Sequence, residues 1–186
     1  MEAMPDNKHF TWADYLTWED DIRYELIDGT PHMMTAPSRQ HQSISGALFN
    51  QLYNFLKDKP CEVYAAPFDV RLNPDDRDDT VVQPDIVVVC DSTKLDDRGC
   101  MGAPDLVVEI LSSSSDIRDR VLKFNKYLQA GVREYWIVNP DNSSANVFIW
   151  ENGKYTASAY GKSDTLSSHT LPGCVISLAD IFGEQT

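Results

Sequence analysis

Pro84-Asp85-Ile86-Val87-Val88-Val89-Cys90 and Pro104-Asp105-Leu106-Val107-Val108-Glu109-Ile110-Leu111-Ser112 are the two stretches on which the fold turns. Each opens on a Pro-Asp pair and continues as an apolar, β-branched run bounded by turn-forming residues, the pattern of a short buried strand. A carboxylate stands at the start of the first run and inside the second. An ionised carboxylate on a buried strand is costly unless something pairs with it. Two of them on neighbouring strands would repel each other, and a divalent cation removes that conflict. Asp85 and Glu109 are therefore a candidate metal site.

The chain has 186 residues, which predicts a single domain over 1–186. Its 42% apolar content is enough for an ordinary core. The longest apolar runs are about five residues, far short of the ~20 that a membrane helix needs. The opening Met1-Glu2-Ala3-Met4-Pro5-Asp6-Asn7-Lys8 lacks the basic and apolar regions of a signal peptide. No membrane association and a cytoplasmic location are the expectations. Cys61, Cys90, Cys100 and Cys174 are scattered with no Cys-x-x-Cys pair. Zinc and redox motifs are disfavoured, and free buried thiols are expected.

The net charge of −13 disfavours a standing, high-affinity grip on nucleic acid. It leaves room for a metal-dependent nuclease, because a bound cation and a local basic patch can hold a phosphate. Arg118, Arg120, Lys123, Lys126 and Arg133 form such a patch, against Asp116, Asp119 and Glu134. A solvated helix face explains most of those charges equally well.

Along the chain, 11–20 predicts a short helix and 23–27 a strand. Asp28-Gly29 is a hairpin turn, with 31–35 as the return strand. Ile44, Leu48, Leu52, Phe55 and Leu56 give 39–57 the spacing of an amphipathic helix, capped by Ser38. Residues 62–66 and 68–72 predict two strands meeting at Pro67. The aspartate-rich 73–80 lacks EF-hand spacing and reads as a solvated loop. The two Pro-Asp strands are joined by a loop at 91–103. Residues 113–130 predict a helix stopped by Gly131, and 134–138 another buried strand. A hairpin around Asn152-Gly153 joins 145–151 to 154–160, and short strands at 164–168 and 173–177 follow. This order suggests an α/β domain with one central mixed sheet and helices on its faces.

Adjacent strands lie ~4.8 Å apart, so carboxylates at matching heights can share one small hard cation. Oxygen-only ligation suits magnesium or manganese. Such a cation polarises a phosphoryl oxygen and lowers the pKa of a bound water, which is phosphodiester hydrolysis in outline. A fixed positive charge near the developing negative charge is also wanted. Ile117, Val121, Phe124 and Leu128 read as the apolar stripe of the 113–130 helix. Lys126 lies opposite that stripe and is expected in solvent. Lys123 lies on its border and is the candidate catalytic lysine, with an ion pair to Asp119 as the plain alternative.

At this point the residues resemble a known family. A Pro-Asp followed by a strand glutamate resembles the PD-(D/E)XK nuclease superfamily, with its restriction-endonuclease-like fold. More closely, the chain resembles the Uma-two family, bacterial proteins classed as endonucleases. The matching stretches include Tyr24-Glu25-Leu26-Ile27-Asp28-Gly29, His41-Gln42, Pro67-Phe68-Asp69-Val70-Arg71-Leu72 and Gln83 to Val89. They continue with Gly102 to Ser112, Asp119 through Lys123 to Tyr127, and Gly131 to Val138. The resemblance implies a restriction-endonuclease-like core: a central mixed β-sheet flanked by helices, with extra N- and C-terminal β-hairpins. It implies Asp85 and Glu109 as metal ligands, Glu25 as a further acidic contributor, and His41 near the site. Two residues after Glu109, where the superfamily carries lysine, this chain has Leu111. In families of this kind the lysine has moved to the following helix, which again points to Lys123. Glu25 also fits a cross-strand paired residue, and His41 a structural one.

The expected function is a magnesium- or manganese-dependent endonuclease acting on DNA. Its catalytic set would be Asp85, Glu109, Lys123, Glu25 and His41. Nucleases of this kind often pair to cut both strands, so a homodimer is a further expectation, with Val147–Trp150 as one surface for it. The alternatives are a non-catalytic interaction module on a nuclease fold and a hydrolase of small phosphate esters.

Overall fold

The structure, a computed structural model, describes residues 8–18, 22–73, 77–112 and 117–183, with the backbone alone for 117–119. A short helix α1 (Trp12–Tyr15) precedes the hairpin β1 (Tyr24–Ile27) and β2 (Thr30–Met33). Asp28 and Gly29 both take positive φ in its turn, at 49° and 71°, as this tight hairpin type requires. Helix α2 (Arg39–Leu56) follows, with the Ser38 side chain accepting from the His41 N–H. Next come β3 (Glu62–Ala65), β4 (Asp69–Arg71), β5 (Val81–Val82), β6 (Ile86–Val89), β7 (Gly99–Met101) and β8 (Leu106–Ile110). Then α3 (Ile117–Ala130) leads to β9 (Glu134–Asn139), and β10 (Ser144–Glu151) pairs with β11 (Lys154–Gly161). The chain finishes with β12 (Thr165–Ser167), β13 (Val175–Ser177) and α4 (Leu178–Phe182).

The expected central mixed sheet has six strands in the order β11-β10-β9-β8-β6-β3, with only β8 and β9 parallel. A second sheet, which the sequence did not predict, has the order β2-β1-β5-β4-β7. The residues around Pro67 form the corner between the two. Residues 62–65 pair with β6 in the first sheet, whereas 69–71 pair with β5 and β7 in the second. Strands β5 and β7 are too short to carry a periodic signal, so the second sheet was not visible as a pattern.

Packing follows the alternation of the strands. Ile86, Val88, Leu106 and Val108 face one way, against Ile44, Leu48, Leu52 and Leu56 of α2 and the C-terminal Leu166, Ile176 and Leu178. Val87, Val89, Val107 and Tyr135 face the other way, against Ile27, Val70 and Val82 of the second sheet and Tyr127 of α3. The six-stranded sheet is thus covered on both faces, which is why its central strands read as unbroken apolar runs.

Several expectations are corrected. Cys61 and Cys90 form a disulfide across β3 and β6, not two free thiols. Only Cys100 and Cys174 are free and buried. Residues directly opposite on antiparallel strands come close enough to bridge, a pairing that scattered spacing along the chain does not reveal. Asp79, expected in a solvated loop, is buried; it accepts from Asn73 Nδ2 at 2.6 Å and lies 3.0 Å from His9 Nε2. The apolar stripe of α3 is displaced. Val121 is 55% exposed, while Tyr127 is fully buried with Phe124 and Leu122 beside it. Lys126, expected in solvent, pairs with Asp28 of the first hairpin turn. Asp119, and the helix start at 113–116, lie outside what the structure describes at side-chain level. Val147 is buried in the chain's own core, and Phe148 packs against Phe124, Tyr135 and Tyr155. Ile149 and Trp150 of the same stretch remain partly exposed. Among the described residues, no helix is long and apolar enough to cross a membrane.

Candidate functional site

Asp85 and Glu109 reach the same face by register. The ladder pairs Ile86 with Val108 and Val87 with Val107, and one step beyond puts Asp85 opposite Glu109. Residues paired this way have Cβ atoms ~4.5–5.5 Å apart and project to one side of the sheet. That side is the one shared with Val87 and Val107, between the two sheets and against α3. Asp85 Oδ2 accepts from the Ile110 N–H at 2.7 Å, which ties the carboxylate across to β8. His41, in the first turn of α2, puts Nε2 3.1 Å from the same oxygen.

Glu25 arrives from the second sheet, on the side of β1 that also carries Ile27. Its Oε1 accepts from the Gln83 backbone N–H at 2.8 Å. Lys123 lies between the acids, with Nζ 2.8 Å from Glu25 Oε1 and 3.0 Å from Glu109 Oε1. Tyr127, one turn further along α3, donates its hydroxyl to Glu109 Oε1 at 2.6 Å. The displaced stripe explains this arrangement. Lys123 and Tyr127 are four residues apart, so they share the helix face that is buried, and both polar ends meet one carboxylate.

The charges shift one another. Burial pushes the Glu109 carboxyl up to about 7, against the opposing pull of Lys123. Burial works against the Lys123 ammonium, yet Glu109 and Glu25 hold its pKa above the ordinary lysine value. The hydrogen bond to Asp85 raises the His41 pKa in spite of the ring's burial. Burial raises Tyr127 well above the ordinary phenol value, so its hydroxyl stays a donor.

All five residues singled out from the sequence line one cleft of about 500 Å³. Two contributors were not singled out. Gln83 supplies the backbone N–H to Glu25, and its side-chain Oε1 accepts from Arg23 Nε at 3.0 Å. A polar residue just before a buried Pro-Asp strand was the available signal. Tyr127 was visible only as the residue one turn after Lys123.

The donor set suits a hard cation in kind. Oδ1 of Asp85, Oε2 of Glu109 and Oε2 of Glu25 accept no hydrogen bond among the described residues. His41 Nδ1 is buried and likewise has no partner among them. Their spacing as it stands is a separate matter. Among the described residues, no group of three or more His, Cys, Asp or Glu side chains is arranged to hold a metal ion.

Comparison with known proteins gives three findings. The sequence model of the family Uma2, described as "Putative restriction endonuclease", matches residues 12–179. An uncharacterised protein, slr1290, from Synechocystis sp. is 27% identical over 162 residues, covering 85% of this chain and 84% of the relative. A crystal structure described as "a putative nuclease belonging to DUF820", from Anabaena variabilis, superposes with a TM-score of 0.75 at 17% identity. It covers 93% of this chain and 97% of that one. The fold is restriction-endonuclease-like.

Proposed function

The chain belongs to the Uma2 family, and on that premise we propose that it is a magnesium- or manganese-dependent endonuclease that hydrolyses phosphodiester bonds in DNA. The observation that carries this reading is the convergence of Asp85, Glu109 and Glu25 on one cleft, with Lys123 bonded between two of them. Lys123 offsets only part of the charge of three carboxylates so close on buried strands, a divalent cation would balance the rest, and their unpartnered oxygens are hard donors of the kind magnesium and manganese take.

Asp85 and Glu109 would hold the ion, helped by Glu25. When bound, the ion would supply Lewis acidity toward a phosphoryl oxygen and a water of lowered pKa. The residues of the chain do the rest. Tyr127 and the Ile110 N–H fix the two ligand carboxylates by hydrogen bonds to one oxygen each. Lys123, buried and held protonated by its two acid partners, orients the attacking water or offsets negative charge on the phosphoryl oxygens. His41 holds Asp85 in place through the oxygen that Ile110 also binds.

The test is cleavage of closed-circular plasmid and of single-stranded circular DNA, with and without magnesium or manganese. Wild type should cut a circle only with metal, and Asp85→Ala should lose at least about a hundredfold of that rate, as removal of one key electrostatic group does elsewhere. Equal rates for the two proteins would end the catalytic reading. The non-catalytic module has one observation in its favour, that no three-ligand cluster stands ready among the described residues. It would be upheld if calorimetry detected no manganese binding.

A further inference from the structure

Building on the nuclease reading, we infer that the cleft admits one nucleotide of a single DNA strand, with the Arg23 guanidinium at its mouth taking the backbone phosphate. The site is recessed: the side chains of Asp85, Glu109, Lys123, Glu25 and His41 are only 7–18% exposed. A cleft of about 500 Å³ belongs to the size class that takes one small ligand. That is the scale of a nucleotide drawn out of a strand, not of a turn of duplex.

The lining has the wrong charge for a duplex track. Its lysine and arginines, among the described residues, are Lys123, Arg23 and Arg120. Lys123 is committed to Glu25 and Glu109. A protein that follows a duplex backbone commonly makes ~6–10 phosphate contacts, whereas this chain carries a net charge of −13. Arg120 is engaged as well, which leaves Arg23, at an exposed position, to match one phosphate.

The lip has the right chemistry for a base. Met33, 65% exposed, stands at the cleft with Met34 and Pro37, and Leu111 lines it as well. A stacked duplex presents sugar and phosphate to such a lip. An unstacked base presents a π face, which thioether and apolar side chains can cover.

Arg23 is a prepared contact rather than a loose surface side chain. Its Nε and Nη2 both donate to Gln83 Oε1, at 3.0 and 2.5 Å. Gln83 is buried and is itself fixed, its Nε2 donating to Asp69 Oδ1 at 2.8 Å and to the Tyr15 hydroxyl at 3.0 Å. The same residue's backbone N–H holds Glu25. One glutamine therefore sets the distance between the guanidinium at the mouth and a carboxylate at the base.

Fluorescence anisotropy with a labelled single-stranded oligonucleotide and its duplex, across a salt series, tests this. The single strand should bind at least about tenfold tighter than the duplex. Arg23→Ala should weaken it several-fold and reduce the salt slope by about 0.7, the value of one phosphate contact on a single strand. Met33→Asp, at an exposed position that leaves the melting temperature unchanged, should also weaken it several-fold. Duplex bound equally or more tightly, no binding of the single strand, or both variants binding like wild type would overturn the inference. The cleavage assay separates the two readings. Single strand bound while neither circle is cut fails the hydrolysis proposal and upholds the cleft's assignment, whereas preferential cutting of the duplex circle does the reverse.

Discussion

Burial pushes the Glu109 carboxyl up to about 7, with Asp85 and Glu25 adding to the rise. Between its ordinary 4.5 and that value, the folded chain keeps a proton that the unfolded chain has released. The stability Glu109 lends is therefore full below about 4.5 and is lost as pH rises through about 7. A cation needs the ionised form, so its affinity should run the opposite way. Scanning fluorimetry should find a larger manganese-induced rise in melting temperature at pH 8 than at pH 6. Glu109→Gln should flatten the metal-free stability profile between about 4.5 and 7 and abolish the manganese response; an unchanged profile would remove Glu109 from the site. At this scale the sequence spoke through misplaced charge. Asp85 and Glu109 stood out because a carboxylate interrupts an apolar strand. Arg23 and Gln83 did not, because an arginine and a glutamine near strand starts are ordinary until their side chains are seen to meet.

Helix α2 was legible almost to the residue, since Ile44, Leu48, Leu52 and Leu56 repeat at helical spacing and all four are buried. Helix α3 was found, but its face was misjudged. An apolar count favoured Val121 over Tyr127 and Lys123, yet long amphipathic side chains can bury their stems and still bring a polar tip to a partner. The two helices can be compared directly. Leu48→Ala should cost about 2–5 kcal/mol, as buried leucines do. Val121→Ala should cost less than about 0.5 kcal/mol, in line with its exposure. Urea denaturation of both variants checks this, and a large loss from Val121→Ala would mean that the stripe read from the sequence was right after all. Strands of two and three residues, such as β5 and β7, carry no periodicity, so the second sheet became visible only through its pairings.

Across the whole molecule, the sequence announced the class of fold but not the division of its main strands between a six-stranded and a five-stranded sheet, because that division depends on partners far apart in the chain. Strand β3 is the outer strand of the six-stranded sheet, and the Cys61–Cys90 disulfide staples it to β6. Closing a loop across 29 residues contributes roughly 3–4 kcal/mol by chain entropy. Cys61→Ser should therefore lower stability by an amount of that order under oxidising conditions and change nothing under reduction, as read by melting with and without reductant. The corner at Pro67 has a mechanical consequence. Glu25 belongs to one layer, Asp85 and Glu109 to the other, and Lys123 to a third element laid against both. Whatever fills the cleft acts as a rivet through these layers, so occupancy should hold them closed together. Amide hydrogen exchange in Tyr24–Ile27 and Leu106–Ile110 would slow in step.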